Sequence, residues 1–533
     1  MNLNSHNLEI NIKKLNYKDL IIFLIPFILF LYYLHIYNPG ILTVDSFNQL
    51  HQIATGKFNN WHPFFHTFIE MLCIKIYASP ISVGILQITI FSVMWMVICK
   101  YFRQDDLNKT LKSKSFILQV AITLIISLIP INAIYSITLW KDILFSYFLM
   151  FLCFLIKVLL DKEGQISYKF IILLSIVMAF VSQLRPNGIF IILVLLIIFG
   201  IYLFRKNKTD KMFLILPALT IIFILLIASL NVAYDVEDNQ KDAVFAKVVH
   251  MLADYDLNLE MSNEDRAKIH EMMNETTIKE NYKDTYSDLI WDAADEQVYD
   301  NNKATYLGMA ISYSLKNPLH FIEYMFKSSP MVWDLTRSDD WVGNVYKTDI
   351  NNANRFFYRQ ANATPAADFD GVMATNSKTN EYQQLNSMAY AVRDNPITDT
   401  LFESTALYMY LAIILLIAIH LITKSKTIYL VYLPNLLNIL IVFVSTPIQD
   451  VRYLYPNLLI FYLLVIILIG ILTKEDSKIT TNTSNVNKIK NTPNPKIIEK
   501  ENMRIQETPE EMEARITAEI LKELELEYGN KKE

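Results

Sequence analysis

"FFHTFIEMLCIKIYASP", residues 64–80, decides how this chain threads a bilayer. The stretch is apolar but carries His66, Glu70 and Lys75, and it is short for crossing a hydrocarbon core about 30 Å thick. Around it lie ten longer apolar runs, near 19–37, 81–101, 116–131, 142–160, 169–184, 189–204, 212–231, 403–423, 427–446 and 454–473. Charged residues make up 19% of the 533, below the roughly 25% of soluble domains. They are concentrated between the runs, as in a polytopic helical membrane protein. Lysine and arginine placement then fixes the reading of 64–80. Lys13, Lys14 and Lys18 put the N-terminus in the cytoplasm, and Lys100, Arg103, Lys109, Lys112 and Lys114 put the loop after residue 100 there too. Both hold only if 64–80 lies in the outer interface as an amphipathic helix. The predicted fold is an all-α polytopic membrane protein of about ten transmembrane helices. It has interfacial helices in the first outer loop and a mainly helical extracytoplasmic domain.

The expected organisation is a cytoplasmic N-terminus (1–18) and a transmembrane core (19–231) containing the first outer loop (37–80). An extracytoplasmic domain (232–402), C-terminal transmembrane helices (403–473) and a cytoplasmic tail (474–533) follow. The tail reads as partly disordered, with a charged helix near 508–529. Within 232–402, residues 317–333 alternate aromatic and charged groups at helical spacing and are expected on the outer interface. A net charge of −5 gives no reason to expect nucleic acid. Cys73, Cys99 and Cys153 lie in or beside apolar runs without CxxC spacing and read as small hydrophobes. There is no P-loop, GxSxG, HExxH or Rossmann glycine pattern, and only 11 glycines in all, so a nucleotide site is not expected.

This topology collects the unusual polar motifs at one face: "TVDSFNQ" (43–49), "WHP" (61–63), "LWKD" (139–142), "QLRPNG" (183–188) and "DVRYLYP" (450–456). Asp45 fits a general base, a metal ligand or an N-cap of a helix over 46–55. Trp61 suits an interfacial anchor, and His62 lies one short helix and turn from Asp45. Lys141 and Asp142, about 100° apart on a helix, must find separate partners. Arg185 and Arg452 offer forked donors for phosphate oxygens, or for salt bridges to Asp142 and Asp450.

In this order the motifs resemble the GT-C superfamily of membrane glycosyltransferases, which includes protein O-mannosyltransferases and aminoarabinose transferases, and a bacterial branch of it. Those enzymes place an acidic residue just after helix one, then two interfacial helices, the second opening with a His-Pro stretch. Here Asp45, the segment 46–56, "HPFF" (62–65) and 64–78 stand in that order. Asp45 is followed by Ser46 and "HPFF" lacks a second proline, so metal dependence is not indicated and no cofactor is expected. The resemblance implies an inverting transferase in the bacterial plasma membrane, active at its outer face. The donor would be a polyprenyl-phosphate sugar and the acceptor a cell-envelope glycan, glycolipid or protein. Asp45 would be the catalytic base, and Lys141, Arg185 and Arg452 would bind the donor phosphate. Trp61, His62, Asp142 and Tyr453 would line the substrate pocket. A polyprenyl-lipid flippase or a polysaccharide polymerase is the alternative.

Overall fold

A computed structural model of the chain describes residues 15–103, 109–163, 165–206, 211–238, 243–336, 379–445 and 450–490. The charged helix expected near 508–529 lies outside them. The described elements are helical, with three isolated β-bridges.

The first helix, α1 (Tyr17–Ile36), is capped by Asn16 and leads through Gly40 to α2 (Val44–Thr55) and α3 (Phe64–Ile76). At 13 residues, α3 is about 20 Å long and cannot cross a bilayer core. Then follow α4 (Ile81–Phe102), α5 (Lys109–Leu128), α6 (Pro130–Ser136), α7 (Lys141–Asp161), α8 (Tyr168–Leu184), α9 (Gly188–Lys206) and α10 (Met212–Ala233). Among the described residues, seven helices are long and apolar enough to span, or eight if α5 and α6, bent by 72° at Pro130, count as one. The expectation of about ten also counts two shorter apolar helices. The segments at α8 and at α22 (Ile428–Val444) are helical but only 17 residues long, about 25 Å against a core of about 30 Å.

α7 is apolar all round and is buried at the centre of the bundle, packed by α4, α8 and the C-terminal helices. α10 sits at the rim, with Ile222, Leu225 and Leu226 facing outward. The C-terminal set comprises α21 (Thr405–Thr423), α22, the 3₁₀ turn η1 (Val451–Leu454) and α23 (Pro456–Lys490). The α23 backbone stays helical over 474–490, where the sequence predicts irregular chain; a helix already nucleated in its apolar part adds further turns at little cost.

Between α10 and α21 the chain divides its loyalty. Helices α11 (Ala243–Asn258), α12 (Asn263–Met272), α13 (Glu275–Asn281), α14 (Asp288–Ala293), α15 (Glu296–Asn301), α16 (Lys303–Lys316) and α17 (Pro318–Lys327) share their own core, built on Phe245, Val249, Leu252, Ile269, Tyr299 and Tyr324. By contrast, α18 (Pro330–Trp333), α19 (Asn380–Asp394) and α20 (Pro396–Glu403) add Met331, Val332, Tyr382 and Ala389 to the core of the bundle. The separate domain is thus the part up to α17, because the later helices bury their apolar faces on α6 and α21.

Candidate functional site

Two short backbone pairings bring distant segments together. Ile41 N donates to Ile137 O (2.9 Å) and Leu139 N to Ile41 O (3.2 Å). This close approach needs Gly40, whose φ of +122° disfavours side chains and where a Cβ would meet Ile137 O at 2.9 Å. Ser46 Oγ then donates to Leu139 O (2.8 Å) and Trp140 Nε1 to Thr43 Oγ1 (2.6 Å). The first turn of α2 is thereby clamped against the start of α7, setting Asp45 beside Lys141. The cap of α2 is Thr43, whose N–H donates to Ser46 Oγ at 3.1 Å. Asp45 lies inside the first turn, so neither the N-cap role for Asp45 nor a helix start at residue 46 holds.

Asp45 Oδ2 accepts from Arg452 Nη1 at 2.6 Å and lies 3.9 Å from Lys141 Nζ, while Oδ1 is 3.9 Å from His62 Nε2. Lys141 Nζ is 3.0 Å from His62 Nδ1. An ammonium has only donors, so Nδ1 accepts and Nε2 carries the ring proton that faces Asp45. Lys141 and its neighbour Asp142 diverge as expected. Asp142 is fully buried and meets Arg185 Nε at 3.0 Å and Arg452 Nε at 3.8 Å. Arg452 Nη2 also reaches Asp450 at 3.2 Å. Aromatic faces hold both guanidiniums in place: Arg452 lies 4.6 Å over Trp140, and Arg185 lies 4.8 Å over Tyr453 and 5.2 Å over Phe145.

Three carboxylates thus face three cations. Burial pushes the Asp45 carboxyl up, but Arg452 and Lys141 outweigh it and hold the group well below the usual carboxylate range. Burial, and then Lys141, push the His62 imidazole down to about 3, so it is neutral at neutral pH.

Arg185 has spare capacity. Its Nη1 is buried and has no hydrogen-bond partner among the described residues. The side chain is positioned by the tight α8–α9 turn and lines a cavity of about 300 Å³ with Asn60, Pro63, Phe65, Gln183 and Ile227. Buried polar atoms are nearly always satisfied, so an unmatched guanidinium N–H beside a cavity favours an anion. A separate enclosure of about 20 Å³ by Asp334 and Glu403 is too small for a lipid headgroup.

The sequence-predicted residues Asp45, His62, Lys141, Asp142, Arg185, Arg452 and Tyr453 come together in one cluster. Trp61 borders them, its ring edge-on to His62 (6.4 Å), and it also stacks on Trp291 of α14 (5.9 Å, 11°), tying the first loop to the small domain. Asn60 N donates to Glu237 O at 3.0 Å and reinforces that loop. Sequence reasoning passed over Trp140, Gln49, His66 and Glu70. The last two stand four apart on α3 and so share one helix face, which His62 precedes in the chain. Gln49 Nε2 lies 2.9 Å from both His66 Nδ1 and Thr67 Oγ1. Burial raises the Glu70 carboxyl well above its usual range.

No curated protein and no solved structure matches the chain. Residues 52–491 match a family described as "Family of unknown function (DUF6020)". That span contains every clustered residue except Asp45 and covers most of the sequence, so the chain belongs to the family of unknown function DUF6020.

Proposed function

We propose that this protein is an inverting membrane glycosyltransferase of GT-C type. It moves a sugar from a polyprenyl-phosphate donor to a hydroxyl of a cell-envelope acceptor at the outer face of a bacterial plasma membrane. The observation that carries the reading is the unmatched Arg185 N–H beside a cavity of about 300 Å³, next to a cluster that also holds an ionised carboxylate. Arg185, Arg452 and Lys141 bind the donor phosphate, and the prenyl chain leaves past Phe65 and Ile227 toward the lipid-facing rim. Asp45 accepts the proton of the acceptor hydroxyl as that oxygen attacks the anomeric carbon. The bond from the anomeric carbon to the phosphate oxygen breaks with inversion. The cations stabilise the charge developing on the leaving lipid phosphate, which finally takes up the proton.

The ion pair tunes the base. A carboxylate held low by Arg452 at 2.6 Å is a weak proton acceptor. A donor phosphate that draws Arg452 toward itself removes the strongest pull on Asp45 and raises its proton affinity as the acceptor arrives.

The test is transfer from radiolabelled polyprenyl-phosphate hexoses to envelope glycans by purified protein in nanodiscs. Asp45→Asn should retain donor binding and lose turnover by about 10²–10⁴-fold. Undiminished turnover in the variant, or movement of donor between leaflets without transfer, would overturn the reading.

A further inference from the structure

Helix α17 displays an arrangement that the proposed reaction does not use. Tyr324 and Met325 are buried in the small domain, with Phe321 packed against its core. Leu319, Ile322 and Phe326, spaced three and four apart and so on one stripe, are 82%, 50% and 46% exposed. Glu323 and Lys327 pair at 2.7 Å on the adjoining face. Around the axis the order is therefore buried apolar, exposed apolar, then charged. A helix wholly in water would have no use for the middle strip, and a leucine left 82% exposed gains nothing from folding.

What covers the strip is indicated by its surroundings. Phe326 packs edge-on against Phe443 at the end of α22 (5.4 Å). The outward stripe of α22, Leu436, Leu440 and Val444, runs up to that contact. Trp333 Nε1 donates to Phe326 O at 3.0 Å, and Tyr410 of the spanning helix α21 donates to Trp333 O at 2.6 Å. The exposed apolar stripe of α22 thus meets α17 at the Phe326–Phe443 contact, and α21 reaches it through Tyr410 and Trp333. Trp333 and Tyr410 mark the junction, where amphipathic aromatics sit at a membrane–water boundary.

We infer that α17 is a membrane-interface helix, with Leu319, Ile322 and Phe326 immersed in the acyl–headgroup boundary and Glu323 and Lys327 in water. The small domain is then held at fixed height and tilt over the polar cluster, with the Trp61–Trp291 stack as its second attachment. This inference rests on the lipid-facing helices and stands whether or not the protein transfers sugar.

The test uses the full chain in nanodiscs of phosphatidylcholine and phosphatidylglycerol, spin-labelled at Leu319→Cys, with Glu323→Cys as the aqueous reference. The three native cysteines are buried and should resist the label. Relaxation by oxygen should exceed relaxation by an aqueous nickel chelate at 319, and the order should reverse at 323. Equal nickel access at both positions overturns the inference in favour of a strip in water. Exclusion of both reagents with spin–spin broadening overturns it in favour of a second copy of the chain. Should Leu319→Cys fold poorly, Ile322→Cys reads the same stripe.

Discussion

Replacing Arg452 by methionine probes the ion pair on which the cluster turns. The variant keeps an apolar side chain over Trp140 but removes the guanidinium that sits 2.6 Å from Asp45 and 3.2 Å from Asp450. Breaking one side of a buried pair costs about 3–5 kcal/mol. Asp45 is 21% exposed and keeps Lys141 at 3.9 Å, so the cost should fall to about 2–3 kcal/mol. That corresponds to about 2–3 °C in apparent Tm for a chain of 533 residues, read by fluorescence-detected melting in detergent. The pH dependence is the sharper readout. In the wild type the Asp45 contribution is fully present above the unfolded carboxylate pKa of about 3.9. It is lost only as pH falls through the much lower folded value. In the variant only Lys141 is left to oppose burial, the strongest influence on Asp45. Its folded pKa therefore rises from that low value toward the unfolded one, and the Asp45 contribution shrinks. The Tm deficit should be widest above about pH 5 and narrow as the pH falls below about 4. A deficit that is flat across that range, or no deficit, would refute the coupling.

Substitutions at two further positions test other parts of the site. Arg185→Met should weaken binding of a polyprenyl-phosphate sugar by about 10–150-fold, the equivalent of about 1.5–3 kcal/mol for charge-assisted hydrogen bonds. Arg185→Lys should recover only part of this, because an ammonium cannot fork. Isothermal titration in nanodiscs decides, and unchanged affinity would remove Arg185 from the donor site. Gly188→Ala should destabilise by about 3 kcal/mol or more, because the added Cβ would fall 2.0 Å from Val181 O, a backbone atom that cannot swing away. A wild-type melt would show that the α8–α9 turn, and with it Arg185, is less tightly set than the packing implies.

How far the sequence carried depends on the range of the physics involved. Apolar runs and lysine placement report locally, and each of the ten runs became helix; only the distinction between a 17-residue helix and a span of about 20 residues was blurred. The shortness of α3 was legible from its length and its polar residues. The role of Asp45 was not, because both Thr43 and Ser46 can cap, and the choice is made by Leu139 O, 93 positions away from Ser46. The second partner of Trp61 was hidden for a related reason: its ring meets both His62 and Trp291, and Trp291 is 230 positions away. The i, i+4 pair His66 and Glu70 was readable, yet periodicity alone does not say that their face of α3 is fully buried.

The convergence of Asp45, Lys141, Asp142, Arg185, Asp450 and Arg452 has one property that no inventory of motifs contains, which is its internal neutrality. Each cation in the cluster already faces a carboxylate. An anion entering the cavity beside Arg185 is thus met by donors that must partly leave their present partners. Binding becomes an exchange of ion pairs, and its cost is kept moderate because Asp142 holds Arg185 at 3.0 Å and Arg452 only at 3.8 Å. The looser of these contacts, together with the Asp45 pair, belongs to Arg452. Movement of Arg452 toward an incoming anion would free the Asp45 carboxylate, the group the proposed reaction uses as its base.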